Sequence, residues 1–196
     1  DQASYGISEE LREQGFEVGR MKTGTPARLD GRTIDFNKLT EQPGDSEQRR
    51  FSYLETKIRY EDHKSCFIAH TTEEVHDELK KGFGESPMFD GTIQSIGPRY
   101  CPSIEDKIRT FQEKEQHQLF LEPEGLNTVE FYLNGFSSSL PWEVQFNAMK
   151  KIRGLEKVKI FRPGYAIEYD YYAPTQLKHT LETKKIRDLF LAGQVN

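Results

Sequence analysis

Cysteine and tryptophan are nearly missing from this chain, with two and one among 196 residues, and it carries neither a long apolar run nor an excess of positive charge. Cys66 and Cys101 lie far apart in sequence and match no metal spacing and no Cys-x-x-Cys motif, which points to reduced thiols and a cytoplasmic setting. The five histidines (His63, His70, His76, His117, His179) never fall within four residues of one another, so the close spacings that seed metal sites are missing. No stretch approaches the ~18 apolar residues of a membrane span. The N-terminal residues lack a charged-then-apolar signal pattern. The expectation is a soluble protein with no metal and no membrane partner. A net charge of -5 argues against a basic surface spread over the whole chain, so any RNA contact must come from a local patch or from residues outside it.

What is present is globular but lean. Hydrophobic residues make up 35% and charged residues 30%; 13 Phe and 9 Tyr partly offset the shortfall, because their rings bury large areas. The length suits one or two domains. Asp1 stands directly before a helix-like run, and Asn196 follows Leu189-Phe190-Leu191-Ala192-Gly193-Gln194, so an internal piece of a longer protein is expected.

Ser8-Glu9-Glu10-Leu11 opens a short helix over 8–14 that Gly15 stops, and Phe16 to Met21 reads as a strand. Thr23-Gly24-Thr25-Pro26 is turn chemistry, and residues 28–65 show little periodicity. Ser65–His70 predicts a strand. Thr72–Lys81 predicts a helix, acidic at its start and basic at its end, as the helix dipole favours. Ser103-Ile104-Glu105-Asp106 opens another helix reaching about Glu113. Gln118–Glu122 and Thr128–Leu133 read as a hairpin around Pro123-Glu124-Gly125. A helix from Pro141 through Ile152, strands at 158–161 and 166–169, and a fully buried strand at 189–192 complete the pattern. Helices and strands alternate, so the class is α/β, or α+β mixed. An inserted unit over 24–132 is expected between two segments of a frame, 1–23 and 133–196.

The densest unusual segment is Gly97-Pro98-Arg99-Tyr100-Cys101-Pro102-Ser103-Ile104-Glu105-Asp106-Lys107. Cys101 sits beside Arg99 and just before a helix start, where peptide dipoles favour an anion, so a reactive thiolate is one reading. A small buried hydrophobe in a Pro-flanked turn is another. Free amides at the same helix start, with Ser103 and Arg99, could instead hold a dinucleotide pyrophosphate. Spacing alone does not choose. Lys22-Thr23-Gly24-Thr25-Pro26-Ala27-Arg28 lacks phosphate-loop spacing and reads as a crossover between domains, and no Gly-x-Gly-x-x-Gly occurs. Glu122 and Glu124 flank a turn and read as solvated carboxylates rather than an acid–base pair. In Arg162-Pro163-Gly164-Tyr165-Ala166-Ile167-Glu168-Tyr169-Asp170-Tyr171-Tyr172, a strand would place Glu168 and Asp170 on one face and Tyr169 and Tyr171 on the other.

These strings, with Gly19-Arg20-Met21-Lys22-Thr23-Gly24-Thr25-Pro26, His117-Gln118-Leu119-Phe120-Leu121-Glu122-Pro123-Glu124-Gly125 and Leu181-Glu182-Thr183-Lys184, resemble signature stretches of the glucose-inhibited division protein A family of tRNA wobble-uridine modification enzymes, nearly end to end. The resemblance implies part of a glutathione-reductase-like FAD domain carrying an inserted α/β NADH-handling domain. It implies FAD and NADH as cofactors, tRNA as substrate, a GTPase partner in a heterotetramer, and a homodimer. It assigns NADH to the stretch Gly97, Pro98, Arg99, Tyr100, Cys101, Pro102, Ser103, Ile104, Glu105, Asp106, Lys107, Ile108, Arg109, Thr110 and Phe111, and FAD to Ser4 and Gln194. It marks Cys101 as catalytic. The family's N-terminal glycine-rich flavin loop is not among these residues, and Val195 stands where isoleucine is common, so the chain alone is expected to be inactive. A small-molecule NADH-dependent flavin oxidoreductase and a non-catalytic nucleotide- or RNA-binding module are the alternative functions.

Overall fold

The structure is a computed structural model that describes residues 5–45, 53–54, 63–87, 89, 91, 93, 95, 97 and 102–196. Its strands form two sheets. β1 (Val18–Thr25) pairs antiparallel with β8 (Tyr165–Tyr172) as a two-stranded ribbon, in unbroken register from Val18 opposite Tyr172 to Thr25 opposite Tyr165. The second sheet has six antiparallel strands in the order β3-β4-β5-β6-β2-β7: β2 (Arg28–Asp30), β3 (Thr40–Gln42), β4 (Cys66–His70), β5 (Gln118–Pro123), β6 (Glu130–Asn134) and β7 (Ile160–Arg162). The helices are α1 (Ile7–Glu13), α2 (Glu73–Lys80), α3 (Ile104–Thr110) and α4 (Trp142–Met149).

Register assigns the core face of the larger sheet. Ala69 opposes Leu119, Phe67 opposes Leu121, Leu121 opposes Leu133, and Leu29 opposes Phe131, so these side chains share one face. Leu29, Leu119, Leu121 and Leu133 are wholly buried, packed with Val75 and Leu79 of α2, Ile104 and Ile108 of α3, and Ala148 and Met149 of α4. Phe36 covers the same face farther out, its ring 4.5 Å from Phe67 and 5.2 Å from Phe131. Burial of each such side chain contributes about 1.5–3 kcal/mol. Helices gathered on one face of an antiparallel sheet make this an α+β unit.

The expected hairpin, the helix at 72–81 and the strand at 65–70 are present as β5–β6, α2 and β4. Two expectations change. The turn residues Thr23-Gly24-Thr25 continue β1, because β8 supplies a partner for each of them. Leu189–Ala192 is no buried strand: Phe190 is 55% exposed and makes a single bridge to Glu182, with no neighbouring strand over it among the described residues. β7 completes the larger sheet beside β2, and Leu140, Ile152, Leu155 and Val158 lie in the same core. The chain leaves that body at Gly164, where a Cβ would meet Thr25 O at 2.7 Å and Ser138 O at 3.1 Å, so only glycine admits the crossing.

Candidate functional site

Pro102 and Ser103 start α3 as the sequence leads one to expect: the Ser103 hydroxyl caps the helix by accepting from the Asp106 amide at 3.1 Å. Two other early amides are occupied too. Ile104 N donates to Ser137 O at 2.8 Å, and Lys107 N donates to Ser103 O at 3.0 Å. Ser103, Ile104 and Glu105 are buried. The Ser137 carbonyl and the Ser103 hydroxyl thus take the Ile104 and Asp106 amides, which a pyrophosphate would otherwise meet.

Glu105 is the centre of that closure. Its Oε1 accepts from Ser139 N at 2.8 Å and Ser139 Oγ at 3.1 Å, Ser139 Oγ also meets Ser86 Oγ at 2.9 Å, and Glu105 Oε2 is buried without a hydrogen bond. Burial pushes the carboxyl up. The Ser139 amide, its own amide, and the Ser139 and Ser138 hydroxyls oppose that rise.

The far end of α3 is open. Ile108, Arg109 and Phe111 join His76, Lys80, Phe83, Gln112 and Lys114 around a cleft of about 480 Å³. Arg109 and Phe111 are exposed, and Thr110 is exposed between them. The Arg109 guanidinium lies over the Phe89 ring at 5.1 Å, and Lys114 Nζ over Phe111 at 5.0 Å. Three cations and two aromatic rings at one cleft suit an anionic ligand with planar rings. Behind it, His76 Nε2 and the Thr71 hydroxyl stand 2.7 Å apart, Thr71 Oγ1 accepts from His117 N at 2.8 Å, and the imidazole centroids are 5.3 Å apart. Burial holds both imidazoles below the ordinary histidine range, helped by Lys80 at His76 and by His76 at His117.

The ribbon gathers the remaining charged groups. Arg20 reaches Asp170 at 2.9 Å and Glu168 at 3.4 Å, and the Ser95 hydroxyl donates to Glu168. Glu168 and Asp170 do share a face, as their spacing predicts. The Ser95 bond holds Glu168 below the usual carboxylate range, and the Ser8 hydroxyl, followed by Arg20, does the same for Asp170. Gly97 approaches β1, where a Cβ on it would stand 3.7 Å from Lys22 Cε. The stretch from Gly97 to Phe111 thus begins beside the ribbon and ends in the cleft.

At the ribbon's end, Tyr172 joins two distant segments: its hydroxyl lies 3.2 Å from Ser8 Oγ, and its amide donates to Val195 O at 2.7 Å. That bond holds the exposed turn containing Gln194. Asp106 and Lys107 are half-buried, with Lys107 Nζ donating to Gly135 O at 3.0 Å. Ser4, Pro98, Arg99, Tyr100 and Cys101 lie outside the described residues. Glu122 and Glu124 are not simply solvated, since Asn134 donates to the former and Arg28 pairs with the latter, both at 2.8 Å. Sequence reading overlooked Lys80, Phe83 and Lys114. The signal was their position at the ends of two helices that the pattern had already located.

Comparison with known proteins places this geometry. The chain is 61% identical over 196 residues to the tRNA uridine 5-carboxymethylaminomethyl modification enzyme MnmG of Christiangramia forsetii, covering 100% of this chain and 32% of that protein. It is 60% identical over 194 residues to the MnmG of Porphyromonas gingivalis, covering 99% and 31%. The form I crystal structure of Aquifex aeolicus GidA superposes with a TM-score of 0.87 at 50% identity, over 98% of this chain and 33% of that one. The chain thus spans about a third of the length of these relatives. The family model described as glucose inhibited division protein A matches residues 1–196 without a break, and the chain belongs to that family.

Proposed function

We propose that this chain is the middle part of an enzyme that uses FAD and NADH to modify C5 of the wobble uridine of tRNA, adding a carboxymethylaminomethyl or aminomethyl group. Relatives named as tRNA uridine modification enzymes support the substrate. The observation that carries the cofactor reading is the cleft at the end of α3, whose lining supplies cations and rings together. Residues 24–162 form the NADH-handling unit in this reading, with 1–23 and 165–196 as segments of the FAD domain.

The residues present suit a pyridine dinucleotide in a particular way. Arg109, Lys80 and Lys114 would neutralise its phosphates, and Phe83 and Phe111 would take a planar ring. Ser103 and Glu105 do not touch it; they fix α3 so that Arg109 faces the cleft. Gln194, on the turn held by the Tyr172 amide, and Ser4 would hold FAD. When bound, the nicotinamide supplies hydride and the flavin supplies the redox chemistry. Uracil C5 is a poor nucleophile, and the Cys101 thiolate would assist by adding at C6. A GTPase partner, a heterotetramer with it, and a homodimer complete the proposal for the whole protein. No helix among the described residues is long and apolar enough to cross a membrane.

The test is complementation. Deleting the gene should abolish wobble-uridine modification, and the full-length protein should restore it. Cys101→Ser should fail to restore it while oxidising NADH at the normal rate. Restored modification by that variant would remove the thiol from the chemistry, and unaltered tRNA in the deletion strain would favour a small-molecule oxidoreductase.

A further inference from the structure

Between α4 and the ribbon the chain is strongly basic, although its net charge is -5: Lys150, Lys151, Arg153, Lys157, Lys159 and Arg162 surround a single acid, Glu156. All six cations are exposed. The fold imposes this. Ile152, Leu155 and Val158 are turned into the core, 0%, 0% and 2% exposed, which leaves Arg153, Glu156 and Lys157 between them facing solvent. The backbone there is fixed as well, since Asp30 N donates to Lys159 O and Lys159 N donates to Thr33 Oγ1, both at 2.9 Å.

Some of the charge is used locally. Lys151 lies 4.0 Å from Glu78, Arg162 lies 3.6 Å from Glu130, and Lys150 lies over the Phe146 ring. Arg153, Lys157 and Lys159 form no ion pair among the described residues. Lys157 and Lys159 line a cleft of about 600 Å³ with Arg32, Thr33, Ile34, Asp35, Lys38, Gly154 and Glu156. Its two acids both face Lys38, Glu156 at 3.0 Å and Asp35 at 3.8 Å, and Arg32 pairs with the buried Asp30. The positive surplus of the cleft therefore rests on Lys157 and Lys159.

We infer that this cleft, beside the edge strand β7, holds the phosphate backbone of the RNA substrate. The inference rests on the tRNA reading above and adds the surface that reading lacks. Among the described residues no aromatic ring lines the cleft to stack a base, whereas exposed ammonium groups at a fixed edge suit phosphates. The site is separate from the α3 cleft; the two share no lining residue.

The experiment is a salt titration of the full-length protein with an unmodified tRNA transcript. Two lost phosphate contacts should reduce the slope of log Kobs against log salt by about 1.4–1.8 in a Lys157→Gln/Lys159→Gln variant, with NADH oxidation unchanged. Lys81→Gln, which removes an exposed cation of α2's end, should leave the slope as it was. A double variant with the wild-type slope overturns the inference while leaving the tRNA reading intact. Wild-type protein without salt-dependent tRNA affinity overturns both. A wild-type tRNA slope with lost binding to polyglutamate overturns it in favour of an acidic polypeptide.

Discussion

Glu105 is wholly buried, yet only one of its oxygens has a hydrogen-bond partner, so its protonation is tied to the fold. A carboxyl held above its ordinary range stays neutral in the folded protein at pH values where the unfolded chain has already ionised it. Its contribution is fully present below the unfolded pKa and is lost as pH rises through the higher folded one. Glu105→Gln keeps an acceptor for Ser139 and removes the titration, so its urea midpoint should fall less than wild type's as pH rises above the ordinary carboxylate range. Glu105→Ala instead leaves the half-buried Ser139 amide without its acceptor and should cost about 1 kcal/mol at any pH. Equal pH slopes for wild type and the Gln variant would contradict this account. The sequence made the cap at Ser103 legible because capping is local. It hid the closing of the amides, because Ser137 and Ser139 come from a loop more than thirty residues away, and no local pattern records that contact.

The elements that sequence reading located most securely are those with their own periodicity. α2 puts acids first and a base last, and β5 alternates buried Leu119 and Leu121 with more exposed neighbours. β2, β3 and the second half of β1 were missed because each is short or rich in turn-forming residues, and each becomes a strand only through a distant partner. β4, α2 and the start of β5 meet at the pair of buried imidazoles, which yields a prediction at this scale. Both histidines are depressed in the fold, so their contribution is present above the ordinary histidine pKa and is lost as pH falls through the folded values. Hydrogen exchange of the β4 and α2 amides, corrected for intrinsic rates, should show protection falling as pH drops from 7.5 to about 5.5, and His76→Gln should flatten that dependence. Undiminished wild-type protection would mean the imidazoles are not coupled to this joint.

For the whole molecule, the chain spans about a third of the length of the relatives it matches, and its two parts differ in how far they cover their own apolar side chains. Tyr165, Ile167, Leu181 and Phe190 are between 40% and 55% exposed on the ribbon and the C-terminal arm, whereas the six-stranded sheet has a core of its own. The family assignment was legible because long strings of uncommon residues carry it. The contrast between the buried start of α3 and its open end was not, because it depends on which amides the fold consumes and which side chains it leaves facing a cleft. The most direct measurement is an NADH titration of the full-length protein beside its Arg109→Gln/Lys114→Gln variant. Loss of two phosphate-facing cations should weaken NADH binding at least about tenfold, equivalent to ~1.4 kcal/mol, with FAD content unchanged. Equal NADH affinity in the two proteins would contradict the assignment of the α3 cleft to the dinucleotide.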